Sequence, residues 1–175
     1  MRYHLLIASI ALFGCTSLTS LAQIGRSLED CDRIFGRHEG PMKPSEASPG
    51  MENTVARVAY DYKWHGLYLR TFFTGRDVSD TRCVMLSMWK SGGDLTEGQV
   101  NDMLSINNNG GKWIDIPVGR FPGKLVRDDK HAFAHVPVRD LHAPQDLSIW
   151  TADLYRKNPP DYFKRMLEWL STHPL

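Results

Sequence analysis

The chain has 175 residues, of which 42% are hydrophobic and 23% charged, with 21 Lys plus Arg against 20 Asp plus Glu. That is one globular domain's worth of ordinary composition, which excludes disordered and fibrous classes. A net charge of +1, with no basic run of five or more residues, leaves no field to draw in nucleic acid, so a nucleic-acid partner is excluded as well.

At the start, Arg2 is followed by an uncharged run over residues 5–14, LLIASIALFG. About ten apolar residues match the core of an export signal and fall short of the ~20 that span a bilayer. Residues 1–22 are therefore expected to be a signal peptide, with 23–175 as a single mature domain. Ser20 and Ala22 are small at the two positions signal peptidase reads. Leu12-Phe13-Gly14-Cys15 reads instead as a lipobox with Cys15 as the lipid attachment site, and an uncleaved anchor is a third route. All three export the domain, to the periplasm or the cell exterior, with membrane attachment only through lipidation or the anchor. Without residues 1–22 the charges balance at 20 of each sign. Cys31 and Cys83 are then the two cysteines left in an oxidising compartment, which predicts a disulfide between them.

A first helix is expected from Ser27 as N-cap to Gly36 as stop, with acids in its first turn and Leu28, Cys31, Ile34 and Phe35 on its apolar face. Residues 40–50, with three prolines, two glycines and two serines, read as a loop. Residues 54–63, 67–74 and 82–89 are β-branched and aromatic runs with short connections, the pattern of an antiparallel meander. Thr96-Glu97-Gly98-Gln99 is a capping box that opens a second helix, closed by Asn107 to Gly111. Further strands are expected at 112–116, 124–127, 131–136 and 147–152, with Asp128-Asp129 as a tight turn.

Aligning Ser27 with Thr96 superposes Cys31 on Val100, Ile34 on Met103 and Phe35 on Leu104. The last strand of each half carries a shared word, Leu86-Ser87-Met88-Trp89 and Leu147-Ser148-Ile149-Trp150. Together these predict an α+β fold of two helix-plus-three-strand units, over residues 24–92 and 93–157, sharing one antiparallel sheet and core. Pro159 and Pro160 open a third helix over 158–172, Pro being tolerated in its first turn, with Phe163, Met166, Leu167 and Leu170 on one face.

The entry Ile24-Gly25-x-Ser27, with Phe35-Gly36 closing the helix, resembles small exported bacterial domains related to the outer-membrane assembly lipoproteins of the SmpA/OmlA type. In tandem layout the chain is similar to the β-lactamase inhibitor protein family. Both families are binding modules, so the resemblance implies binding rather than catalysis.

Each catalytic pattern also has a plainer reading. Ser87-x-x-Lys90 fits a Ser-Lys nucleophile pair, but it ends a strand, where residues three apart face opposite ways, and the partner motifs are missing. His131 and His135 have metal-ligand spacing only on a helix; on a strand they stand about 13 Å apart, too far to share one ion. Asp140, His142 and Asp146 lie in a loop over 138–146 that would hold the acid–base residues of a small periplasmic hydrolase. Cys83 lies mid-strand without the helix N-terminus that activates a thiol. Gly92-Gly93 and Gly110-Gly111 lack a phosphate loop's lysine and read as turns. No cofactor, metal or catalytic residue is assigned.

What stands out is aromatic. Tyr60, Tyr62, Trp64, Tyr68 and Phe72 crowd one hairpin; packing would absorb them into the core, and the alternative is an exposed candidate binding face. The expected function is a non-catalytic binding or envelope-scaffold module for an unknown protein or envelope component. The alternatives are the small hydrolase and a structural lipoprotein anchored through Cys15.

Overall fold

The computed structural model describes residues 24–75, 81–116, 123–137 and 146–173. In chain order these form α1 (Leu28–Phe35), β1 (Glu39–Met42), α2 (Pro44–Ala47), a 3₁₀ turn (Met51–Asn53), β2 (Val58–Trp64), β3 (Leu67–Phe73) and β4 (Cys83–Trp89). There follow α3 (Glu97–Ile106), β5 (Trp113–Asp115), β6 (Lys124–Arg127), β7 (Ala132–His135), β8 (Leu147–Thr151) and α4 (Asp161–Thr172). The strands make one sheet in the order β1-β2-β3-β4-β8-β7-β6-β5, every neighbouring pair antiparallel. The fold is α+β with a C-terminal helix.

Local chemistry starts each unit where it was expected. The Ser27 hydroxyl accepts the Asp30 amide at 3.2 Å and caps α1. Thr96 and Gln99 exchange reciprocal bonds of 3.2 and 2.9 Å at the start of α3. Between β2 and β3 the chain reverses through His65 and Gly66 at φ 50° and 77°, with Trp64 opposite Leu67. This is a two-residue turn of the kind whose twist matches the strands, and Gly66 takes its left-handed position without cost.

The two halves meet at β4 and β8, where the shared word pairs with its own copy: Leu86 faces Ile149, Ser87 faces Ser148 and Met88 faces Leu147. Each half is a helix followed by a four-strand meander rather than three strands. The fourth strand of the first half is β1, which overlaps the start of the stretch read as a loop. Pro41 is tolerated there because β1 is a short edge strand, where a missing amide breaks no central ladder. Pro44 likewise opens α2, as Pro does at a first helical turn. In α4 Pro160 is the N-cap, one step ahead of the position expected.

Two cores result, one on each face of the sheet. On the first face, Cys31 and Phe35 of α1 and Met103 of α3 pack over Tyr62, Leu69, Leu86, Met88, Leu147 and Ile149. Burying each large apolar side chain is worth roughly 1.5–3 kcal/mol. The ends of the two helices are tied by buried Asn107, whose Oδ1 accepts the Ile24 amide at 3.1 Å and whose carbonyl accepts Arg127 Nη1 at 3.0 Å. Asp129 holds Arg127 in turn at 2.7 Å, so this buried cation is paired. On the second face, α4 and the 3₁₀ turn cover Ala59, Phe72, Val126, Phe133 and Trp150.

Candidate functional site

The aromatic hairpin does not form one surface. At period two, Tyr60, Tyr62 and Trp64 face the first core while Tyr68 and Phe72 face the other way. Tyr60, Tyr62 and Phe72 are 7%, 1% and 1% exposed, which removes them as a binding face. The Tyr62 hydroxyl is satisfied inside: it donates to Asp32 at 3.0 Å, and Phe35 sits edge-on to the ring at 5.4 Å. Trp64 packs against the same cluster. Of the five residues, Tyr68 is left half-buried on the open side, stacked on Trp89 at 5.9 Å and 15°.

Tyr68 borders a feature that needs the register of six strands to be seen. Asp61 pairs with Arg70, Arg70 with Ser87, Ser87 with Ser148, Ser148 with His135, and His135 with Lys124. Their neighbours two residues on (Ala59, Phe72, Met85, Trp150, Phe133 and Val126) all belong to the second core, so the six side chains form one polar row on that face. At about 4.8 Å per strand the row is about 24 Å long. None of the six except Asp61 and Arg70 carries an ion pair among the described residues.

The row is graded along its length. At one end Arg70 grips Asp61 through two bonds of 2.7 and 2.8 Å, and its guanidinium lies 5.5 Å from the Trp89 ring centroid and donates to the Ala47 carbonyl. In the middle the Ser87 and Ser148 hydroxyls share one hydrogen bond of 3.2 Å. At the far end Lys124 Nζ lies 5.3 and 5.5 Å from the ring centroids of Trp150 and Tyr162, and burial brings its pKa down to about 8. A cavity of about 230 Å³ opens over the Arg70 end, walled by Ser48, Ser87, Trp89 and Asp146 above Phe72. Burial raises the Asp146 carboxyl above its ordinary value.

His135 is held neutral. Burial first, and then the charge of Lys124, bring its pKa down to about 4. An unfolded chain would take up that proton near pH 6.5, so stability is lost as pH falls from about 6.5 to about 4 and is flat below that. Allowing for partial solvation, the loss is about 1–2 kcal/mol. Urea titrations at pH 7 and 4.5 should show a smaller acid loss in His135→Gln than in the parent; equal losses would mean the ring is not desolvated.

The other residues singled out from sequence fall apart in space or out of view. Cys15, residues 1–22, Asp140 and His142 lie outside the described residues, so of the 138–146 loop's acid–base set only Asp146 is placed, at the edge of the cavity. Ser87 is mid-strand and bonds Ser148, not a lysine. His131 precedes β7 and His135 ends it. Among the described residues no three His, Cys, Asp or Glu side chains converge on a metal position, and no helix is long and apolar enough to cross a membrane. Cys31 and Cys83 are both fully buried free thiols that lie against one another: the Cys31 thiol is pushed well above its ordinary range by its hydrogen bond with Cys83 and then by burial.

A second cavity, about 340 Å³, lies on the other face between α3 and the Leu125 to Val136 edge of the sheet. It is more apolar, but its acids, Asp94 and Glu97, stand at the α3 N-terminus, where they complement the helix dipole. The polar row is the better candidate because its groups share one face of the sheet and two of them, Lys124 and His135, are perturbed by burial.

The missed signal was a polar residue on the second face of each apolar strand: Asp61 in VAYDYKW, Arg70 in LYLRTFF, Ser87 in CVMLSMW and Ser148 in LSIWT. No protein-family model matches the chain, and neither a curated protein nor a solved structure matches it.

Proposed function

We propose that this is an exported binding module that docks a protein partner on the second face of the sheet, across the polar row and its Tyr68–Trp89 rim. The observation that carries the reading is the row itself, six half-buried polar side chains in register beside a stacked aromatic pair. Tyr, Trp and Arg are the side chains that dominate interface energies, and Arg70 is already held in place, so it loses little freedom on binding. A row that runs from a neutralised Arg–Asp pair to a single cation gives a partner a direction as well as a surface. The resemblance to exported binding domains agrees with this reading, and the export signal and the Cys15 anchor belong to the same proposal.

Candidate partners captured from envelope extract would be purified and titrated directly. Trp89→Ala and Tyr68→Ala should each weaken binding by about 30-fold or more, the effect of removing an interface anchor. Leu167→Ala, on the exposed side of α4, should change nothing. A partner that binds all three variants equally well would place recognition elsewhere and end the proposal.

A further inference from the structure

We propose that the Lys124 end of the row is a carboxylate-binding subsite made by the Lys124 ammonium, the His135 ring and the indole N–H of Trp150. Lys124 Nζ lies over Trp150 and Tyr162, at 5.3 and 5.5 Å from their ring centroids, and has no hydrogen-bond or ion-pair partner among the described residues. Asp161, the acid in the first turn of α4, is engaged by Lys164 at 3.3 Å. Trp150 is 3% exposed, yet its Nε1 has no acceptor among the described residues. Such an orphan donor is uncommon in a settled core. His135 is opposite Lys124 in register and also has no hydrogen-bond or ion-pair partner among the described residues, and Ser148 beside it is taken up by Ser87.

Donors outnumber acceptors among these three groups, the one acceptor being the second nitrogen of the neutral imidazole. Indole offers one N–H, the ammonium three, and a neutral imidazole one, whereas a carboxylate brings about four lone-pair positions and no donor. One uncompensated cation calls for one negative charge, and walls of aromatic ring accommodate an apolar stem behind it. These features select a monoanionic carboxylate.

The carboxylate can belong to a free acid or to an acidic side chain of the docked partner; for the second source the inference rests on the docking reading. Acetate tests the subsite alone, so failure of docking and failure of the subsite are separable. In a proton–nitrogen correlation spectrum of the full chain, the Trp150 indole signal is assigned by its loss in Trp150→Phe. Acetate replacing chloride at constant ionic strength and pH 7 should shift that signal saturably, with a dissociation constant of about 1–10 mM. Acetamide should not shift it. Lys124→Met should weaken acetate binding by about tenfold or more, and Lys124→Arg should keep it; if Lys124→Met does not fold, the acetate and acetamide arms with Lys124→Arg decide. A blocked glutamyl peptide that binds where its glutamine counterpart does not would assign the side-chain source, and acetate binding without it the free acid. No saturable shift up to about 100 mM, the same shift with acetamide, or undiminished binding by a folded Lys124→Met would overturn the proposal.

Discussion

Phe133→Ala is expected to cost about 3–5 kcal/mol, a fifth or more of the roughly 5–15 kcal/mol by which a domain of this kind is stable. Phe133 is fully buried at the point where α4 meets the sheet. Its ring is 5.1 Å from Phe163 of α4, edge to face, and 6.2 Å from Trp150 in near-parallel stacking. Phe163 in turn touches Tyr155, and Met166 and Leu170 complete the buried stripe of α4. Outside this stripe, Lys130 Nζ donates to the Leu170 carbonyl at 3.2 Å, and the Tyr162 ring stands edge-on to Tyr155 at 6.3 Å and beneath Lys124. The helix is therefore held by apolar packing, and removing the ring in the middle takes away transfer energy and leaves a cavity that α4 cannot fill by collapsing. Urea unfolding followed by far-ultraviolet dichroism measures the loss. Leu167→Ala, on the same helix at 41% exposure, should stay within about 0.5 kcal/mol of the parent. A Phe133→Ala cost under about 1 kcal/mol would mean that α4 is not a structural member of the second core.

The features that were legible in the sequence are those written in short words. Ser27, Thr96 and Gln99 act through side-chain bonds to residues three away, so a local pattern identifies them, and both helices start where they should. The repeated Leu-Ser-x-Trp word was legible as a repeat, but its meaning depends on pairing with itself at the centre of the sheet, which only the strand order shows. There the two tryptophans, equivalent by word, take different roles: α4 covers Trp150, and Trp89 stays on the open face stacked with Tyr68. Strand β1 was illegible because Pro and Gly at an edge look like Pro and Gly in a loop. The polar row was illegible for a deeper reason. Asp61 and Lys124 are 63 positions apart in sequence and five strand spacings apart in the sheet, and a shift of one residue in any of the five pairings would scatter the row over both faces.

Refolding the reduced chain in a glutathione couple is expected to join Cys31 to Cys83 and to raise stability by about 2–4 kcal/mol. Backbone bonds set the geometry: the Gly25 amide donates to the Cys83 carbonyl at 2.7 Å and the Cys83 amide to the Arg26 carbonyl at 2.8 Å, so the segment leading into α1 is pinned to β4 and the first buried turn of α1 lies over Cys83. The two thiols would give up two protons and two electrons, reducing glutathione disulfide to two glutathiones. Closing a loop of about fifty residues is worth about 4 kcal/mol in the chain-entropy account, and any native strain subtracts from it. Timing matters, because in the folded protein the Cys31 thiolate is disfavoured by its hydrogen bond with Cys83 and by burial, and neither sulfur is reached by solvent. Oxidation should therefore be fast during refolding and slow once the reduced chain has folded. Alkylation in denaturant, with a mass about 2 Da lower, reports the bond. The Cys31→Ala/Cys83→Ala variant should lose the response to reductant. Two alkylatable thiols after oxidative refolding, or stability unchanged by reductant, would show that the pair serves as two packed apolar side chains across the α1–β4 contact, and would remove the cysteine argument for an oxidising compartment.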